Sequence, residues 1–200
     1  VIDYPYWIGK YPVTNLQFTR FVDAGGYRDR GWWSAEGWEW KEREGGDGPE
    51  FFDHEFSNPL CPVVGVSWFE ADAYCRWLNV RFWTAGLAGL ELPDRTGYAV
   101  RLATQEEWER AARGVDGREY PWGDEEDDSR ANASGDAPFN FDGATTAICT
   151  FPSGQSPAGV WDMAGNVWEW TASRYKLDSE SRMLCGGSWH GLQWFTRVGR

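Results

Sequence analysis

The chain has little of what most metal enzymes and nucleic-acid binders are built from. It carries only two histidines, His54 and His190, too few for a histidine-rich metal centre. Its four cysteines, Cys61, Cys75, Cys149 and Cys185, form no CxxC pair, which argues against a zinc knuckle. A domain of 200 residues does not need disulfide staples, so free, buried thiols are expected. Cationic residues are scarce: 19 Lys and Arg face 31 Asp and Glu, a net charge of −12. That balance argues against a phosphate-backbone partner or an anionic membrane surface and is compatible with bound cations. There is no apolar run long enough for a membrane span, and no secretory leader is expected. The compartment stays open, with a cytoplasmic setting or a place in a larger chain expected. No P-loop lysine and no GxGxxG behind a strand is present. A triad of Ser188, His190 and Asp162 can be assembled on paper, but no nucleophile elbow frames the serine. The chain begins at Val1 without a methionine, so a single domain over residues 1–200, open to truncation at both ends, is expected.

What the chain does have is tryptophan, fifteen of them. A core does not easily hide so many, so some are expected to line a groove or recognition surface. The stretch Gly159–Trp170 gathers Trp161, Trp168 and Trp170 with Asp162, Asn166 and Glu169 and two glycines. Carboxylates, an amide oxygen and turned main-chain carbonyls are the ingredients of a calcium site. A buried strand and turn whose polar side chains satisfy local backbone groups accounts for the same residues, and on spacing alone it is favoured, because no EF-hand pattern is complete.

Three S/T-x-x-E/Q capping boxes predict three helix starts, at Thr14 with Gln17, Ser67 with Glu70 and Thr104 with Glu107. Gly25-Gly26 ends the first helix, the second ends near Asn79, and Gly114 stops the third. Strands are predicted at Tyr4–Thr14, Pro62–Val66, Tyr98–Leu102 and, with a glycine bulge, Cys185–Trp189. The stretch 26–59 is predicted to be an irregular, aromatic-packed flap and the acidic run Glu125–Asp128 a solvated loop. These elements make an α+β domain with much irregular structure.

Six motifs then occur in a recognisable order: Tyr11-Pro12-Val13-Thr14-Asn15, Pro62-Val63-Val64-Gly65-Val66-Ser67-Trp68, Arg101-Leu102-Ala103-Thr104-Gln105-Glu106-Glu107-Trp108-Glu109, Tyr120-Pro121-Trp122-Gly123, Gly165-Asn166-Val167-Trp168-Glu169-Trp170 and Gly186-Gly187-Ser188-Trp189. Together they are highly specific, and across nearly its whole length the chain resembles the formylglycine-generating enzyme (sulfatase-modifying factor) family. The resemblance implies a C-type-lectin-like fold, with a small twisted antiparallel sheet, two to three helices and extensive coil. It also implies structural calcium. One site would use Asp162, Gly165, Val167 and Glu169, and another Asn132, Ala133, Asn140 and Asp142.

One departure decides the functional expectation. Family enzymes oxidise a substrate cysteine with two cysteines of their own that bind copper, and by motif those positions are Gly191 and Thr196. Soft thiolates hold Cu(I), and glycine and threonine do not replace them, so no copper and no enzyme activity is expected. Trp168 and Ser188 match residues near the family's active site. The related sulfoxide synthases need a histidine-rich iron-binding domain that two histidines do not supply. A branch without the catalytic cysteines, the variable proteins of diversity-generating retroelements, is similar and places a ligand-binding surface after the Gly-Gly-Ser-Trp motif. Here that surface would comprise Trp189, His190, Gly191, Leu192, Trp194, Phe195, Thr196 and Val198, facing a protein or other surface ligand. A core strand is the alternative for this segment. A formylglycine-generating-type oxidoreductase and a regulatory scaffold domain of a larger signalling protein are the alternative functions.

Overall fold

The computed structural model describes residues 2–44, 46–50, 56–84, 97–133, 144–176, 179–190 and 196–198. The first helix, α1 (Asn15–Asp23), starts where local chemistry says it should. The Thr14 side chain accepts from the Gln17 amide, and Gln17 Oε1 accepts from the Thr14 amide at 2.9 Å. Gly25, at φ 80°, turns the chain out of the helix. Gly26 follows because any Cβ there would collide with the Phe21 ring. Helix α1 buries Phe18 and Phe21 against Tyr74 and Trp77 of α3 (Trp68–Thr84), and each ring contributes about 2–3 kcal/mol by burial.

Helix α3 opens on the reciprocal bonds expected of Ser67 and Glu70, at 2.7 and 3.3 Å. Glu70 is buried, and the Tyr27 hydroxyl donates to it at 2.5 Å. The helix runs past Asn79, the expected end, to Thr84. Asn79 Oδ1 accepts from Trp83 Nε1 and from the Val100 amide, so the residue serves both the helix and the returning chain.

Within the stretch expected to be irregular lies a further helix, α2 (Ala35–Glu44). Ser34 Oγ accepts from the Gly37 amide, Glu36 sits in the first turn, and Lys41 and Arg43 sit in the last, which complements the helix dipole. Its stability is tertiary: Trp33 and Trp38 meet edge to face, and Trp40 packs on Phe69 of α3. The described residues therefore hold four α-helices rather than two to three.

Helix α4 (Gln105–Arg113) has the third capping box, and Gly114 closes it at φ 68°. It turns Trp108, Ala111 and Ala112 into a second core with Val160, Met163, Cys185 and Val198. At its start Glu107, 2% exposed, accepts from Arg101 on both oxygens, from the Thr104 amide and from the Tyr4 hydroxyl. The Arg101 guanidinium holds the Glu107 carboxyl down at about 2.

The sheet is small. Strand β1 (Glu169–Arg174) pairs antiparallel with β2 (Arg182–Cys185), with Glu169 opposite Cys185 and an irregularity between Trp170 and Arg174. The predicted strands at Tyr4–Thr14 and Pro62–Val66 shrink to one bridge, Thr14 to Pro62, followed by the Val63 amide on Val13 O. Pro12 and Pro62 lack the N–H that a longer ladder needs. The predicted strand at Tyr98–Leu102 is coil as well. Strand β2 stops at Cys185 because Gly186 and Gly187 take φ of 94° and 76°, so the glycines end the strand rather than bulge it. Tryptophan N–H groups fasten the sheet to the start of α3: Trp170 Nε1 donates to Val66 O and Trp68 Nε1 to Thr171 O. Among the described residues, no helix is long and apolar enough to cross a membrane.

Candidate cation site and the glycine turn beside it

The residues ahead of β1 form a turn system rather than a strand. Asp162, Gly165 and Asn166 adopt φ of 57°, 79° and 61°. Asn and Asp tolerate that left-handed region better than most side chains. The segment folds against the turn after β2: the Gly165 amide donates to Gly186 O at 2.7 Å, and the Trp189 amide donates to Asn166 O at 3.0 Å. It also meets the 132–133 loop so closely that a Cβ on Gly165 would collide with Asn132 O.

This folding brings the buried Asp162 and the half-buried Glu169 within electrostatic reach of each other. Both are carboxylates that burial pushes up, Asp162 to about 6 and Glu169 to about 7. The charge on Asp162 raises Glu169 further, whereas Asn166 and Trp108 pull the two down in part. Trp108 Nε1 donates to Glu169 Oε2 at 2.7 Å. Asp162 Oδ2 is buried and has no hydrogen-bond partner among the described residues. A buried, orphaned carboxylate oxygen near a second, half-buried carboxylate is the arrangement a hard cation would relieve. Among the described residues, no group of three or more His, Cys, Asp or Glu side chains could hold a metal. A cation here would therefore rely on the carboxylate pair and main-chain oxygens, which suits calcium better than a softer metal. The carbonyls of Met163 and Val167 both lie within 4 Å of the Cβ position of Gly186.

Asn166 is fully buried and all its polar ends are engaged by protein. Its amide donates to Asn132 O, its Oδ1 accepts from the Thr146 amide, and its Nδ2 donates to Thr146 O. It is a structural joint. Asn132 uses its Nδ2 on Ala144 O at 2.9 Å. Ala133 is half-buried beside Gly165, and Asn140 and Asp142 lie outside the described residues.

Of the residues expected to bind a ligand, Trp189 and His190 are half-buried, and the Trp189 ring packs at 5.5 Å from Phe56. Gly191, Leu192, Trp194 and Phe195 lie outside the described residues. Thr196 and Val198 are 1% and 3% exposed, and the Val198 amide donates to Glu119 O. Their side chains belong to the interior, since Val198 completes the core around Trp108, which narrows the expected surface to the residues before them. Trp168 is 39% exposed, and Ser188 is buried. All four cysteines are free, with Cys61 and Cys185 buried, Cys75 half-buried and Cys149 exposed. Burial and the charge of Glu169 push the Cys185 thiol up to about 12, so it is protonated at neutral pH.

Sequence reading missed two parts of this site. Trp108 holds Glu169 from 61 residues away, and no local signal joins them. Thr146 receives Asn166 across 20 residues, which no spacing rule marks.

Comparison with known proteins places the chain. It is 35% identical to hercynine oxygenase of Mycobacterium tuberculosis over 94% of this chain and 47% of that protein. It is 31% identical to the inactive C-alpha-formylglycine-generating enzyme 2 of Bos taurus over 92% of this chain and 65% of that one. The chain thus spans about half the length of the hercynine oxygenase it matches. The solved structure of Treponema denticola variable protein 1 superposes with a TM-score of 0.60 at 21% identity, covering 96% of this chain and 76% of that one, a likeness of fold. A small antiparallel sheet, helices on the flanks and long coil agree with that α+β fold. The family model described as the sulfatase-modifying factor enzyme 1-like domain matches residues 2–200, and the chain belongs to that family.

Proposed function

We propose that this domain is a non-catalytic recognition module. In this reading, structural calcium frames a C-type-lectin-like scaffold, and the segment after Gly186-Gly187-Ser188-Trp189 faces a protein or other surface ligand, as in the variable proteins of diversity-generating retroelements. The observation that carries the reading is the chemistry at the two family cysteine positions: Gly191 and Thr196 offer no thiol, and Thr196 is buried. The neighbouring Cys185 is held as a neutral thiol, which is a poor stand-in for a copper-binding thiolate. The fold likeness to Treponema denticola variable protein 1 supports the same reading.

The buried, unpartnered Asp162 oxygen supports a hard cation such as calcium. Asp162 and Glu169 with the main-chain oxygens of Gly165 and Val167 would hold one ion. Asn132, Ala133, Asn140 and Asp142 would hold a second. Calcium would supply charge neutralisation and cross-linking of loops, with no part in bond-making.

The recognition segment is bracketed by two fixed points. The Trp189 amide is tied to Asn166 O, and the Val198 amide is tied to Glu119 O. Rigid ends lower the ordering cost of whatever side chains contact a partner. A variant with Leu192→Ala, Trp194→Ala and Phe195→Ala distinguishes a display surface from a core strand. The expected melting temperature lies within about 3 °C of the parent, as for surface changes. Three core truncations would instead cost about 6 kcal/mol or more and unfold the domain, and that result would refute the surface.

A second reading draws on the identity to hercynine oxygenase. This domain would then be one half of an oxygenase whose iron ligands come from outside these residues. Consumption of hercynine by the full-length protein with iron and oxygen would favour it over recognition.

A further inference from the structure

Asn166 occupies a position that calcium binding and recognition would share. Its peptide is flanked by Gly165 and Val167, whose main-chain oxygens are the proposed cation ligands. Its own carbonyl accepts the Trp189 amide at 3.0 Å, at the entrance to the recognition segment. Its side chain grips Thr146 by two bonds, at 3.0 and 3.1 Å. Its amide donates to Asn132 O at 2.8 Å, and its Oδ1 also receives Asn132 Nδ2 at 3.4 Å. Loops from three parts of the chain therefore converge on one residue with no exposed surface.

We propose that Asn166 transmits occupancy of the Asp162 and Glu169 cation site to Trp189, so that the Trp189 amide is responsive to calcium. The inference rests on the calcium reading above. The physical basis is the lack of slack. The left-handed Asn166 peptide is held on its side-chain end by Thr146 and on its amide end by Asn132. A cation drawing in the Gly165 and Val167 carbonyls therefore moves or stiffens the Asn166 carbonyl with them. The Trp189 amide is hydrogen-bonded to that carbonyl and reports the change. Replacing Asn166 by glycine keeps the φ of 61° accessible, removes the Thr146 grip and creates a Gly-Gly pair whose freedom absorbs the movement.

The test pairs calorimetric calcium titration with amide exchange at Trp189, on the whole chain, with and without calcium. In the parent protein, calcium is expected to slow exchange of the Trp189 amide by about tenfold or more. In Asn166→Gly, calcium still binds, and the slowing at Trp189 falls below about threefold. Asn166→Asp is the companion variant should the glycine form fail to fold. It suits the same backbone region and keeps the Thr146 amide bond, but it loses the donor to Thr146 O, and an intermediate slowing is expected. Tyr27→Phe removes the hydroxyl bond to Glu70 in the core between α1 and α3 and leaves the calcium ratio at Trp189 unchanged. If calcium binds the parent without altering Trp189 exchange, the coupling is refuted and the calcium site stands. Full parental slowing in the Asn166 variants refutes Asn166 as the link. If the parent binds no calcium, both the site and the coupling fall.

Discussion

Chelating calcium from the purified protein at neutral pH should lower its melting temperature by about 10 °C. A site saturated about a thousandfold above its dissociation constant adds about 4 kcal/mol, and a domain of this size moves by about 2–4 °C per kcal/mol. The pH dependence carries a sharper signature. Without calcium, Asp162 and Glu169 have carboxyls raised to about 6 and about 7, mainly by burial. Raised carboxyls favour the folded state in their protonated form. Their contribution is complete below the ordinary carboxylate range and is lost as pH rises through about 6 and 7. Glu70, also raised by burial, adds to the same slope. The chelated protein should therefore melt higher at about pH 5 than at about pH 8. Excess calcium should invert that order, because the ion needs both carboxylates ionised and binds best where the metal-free form is weakest. The pair Asp162→Asn and Glu169→Gln should remove this site's share of the calcium effect, leaving that of the second site, and should flatten the part of the profile that these two carboxyls set. Melting curves of the four states check the claim, and a parent protein indifferent to chelation at every pH would reject the site.

Gly165→Ala should be among the most damaging single substitutions in the domain, at about 4 kcal/mol. The left-handed backbone at φ 79° costs a side chain about 1–2 kcal/mol. The added Cβ collides with Asn132 O, and the Asn132 carbonyl carbon is only 2.9 Å away, so the two loops must part. Parting them breaks the buried Asn166 bond to Asn132 O, worth a further 1–3 kcal/mol or so. Gly159→Ala is the internal control. Its φ is 75°, but nothing lies within 4 Å of a Cβ there, so only the backbone strain of about 1–2 kcal/mol is expected. Chemical denaturation of both variants measures the difference, and equal losses would show that the loop contact carries no energy.

The parts of the fold that were legible in the sequence are those set by local chemistry. Thr14 with Gln17, Ser67 with Glu70 and Thr104 with Glu107 each close a bond over three residues, and all three helices begin where those pairs stand. The α2 helix was hidden because its own propensity is weak, with Gly37 near its start and a charged tail. Packing of Trp33, Trp38 and Trp40 supplies what propensity does not. Predicted strands failed where prolines and left-handed glycines interrupt the ladder, at Pro12, Pro62 and Gly186. Alternating apolar residues do not reveal that a neighbour cannot donate. At the candidate site, Asp162 and Glu169 are visible because they share one short motif. Trp108 and Thr146 are not, because they reach it only after the chain has folded back. The motif did not single out Thr196 and Val198 as the residues that turn inward, since their burial depends on a core assembled around α4.

The central claim is that this scaffold holds a partner and performs no thiol oxidation. Incubating the protein with copper, oxygen and a Cys-x-Pro-x-Arg peptide, and following the peptide by mass spectrometry, tests it most directly. The account predicts that the peptide thiol persists without aldehyde formation. Conversion of that cysteine to formylglycine in proportion to added protein would contradict it.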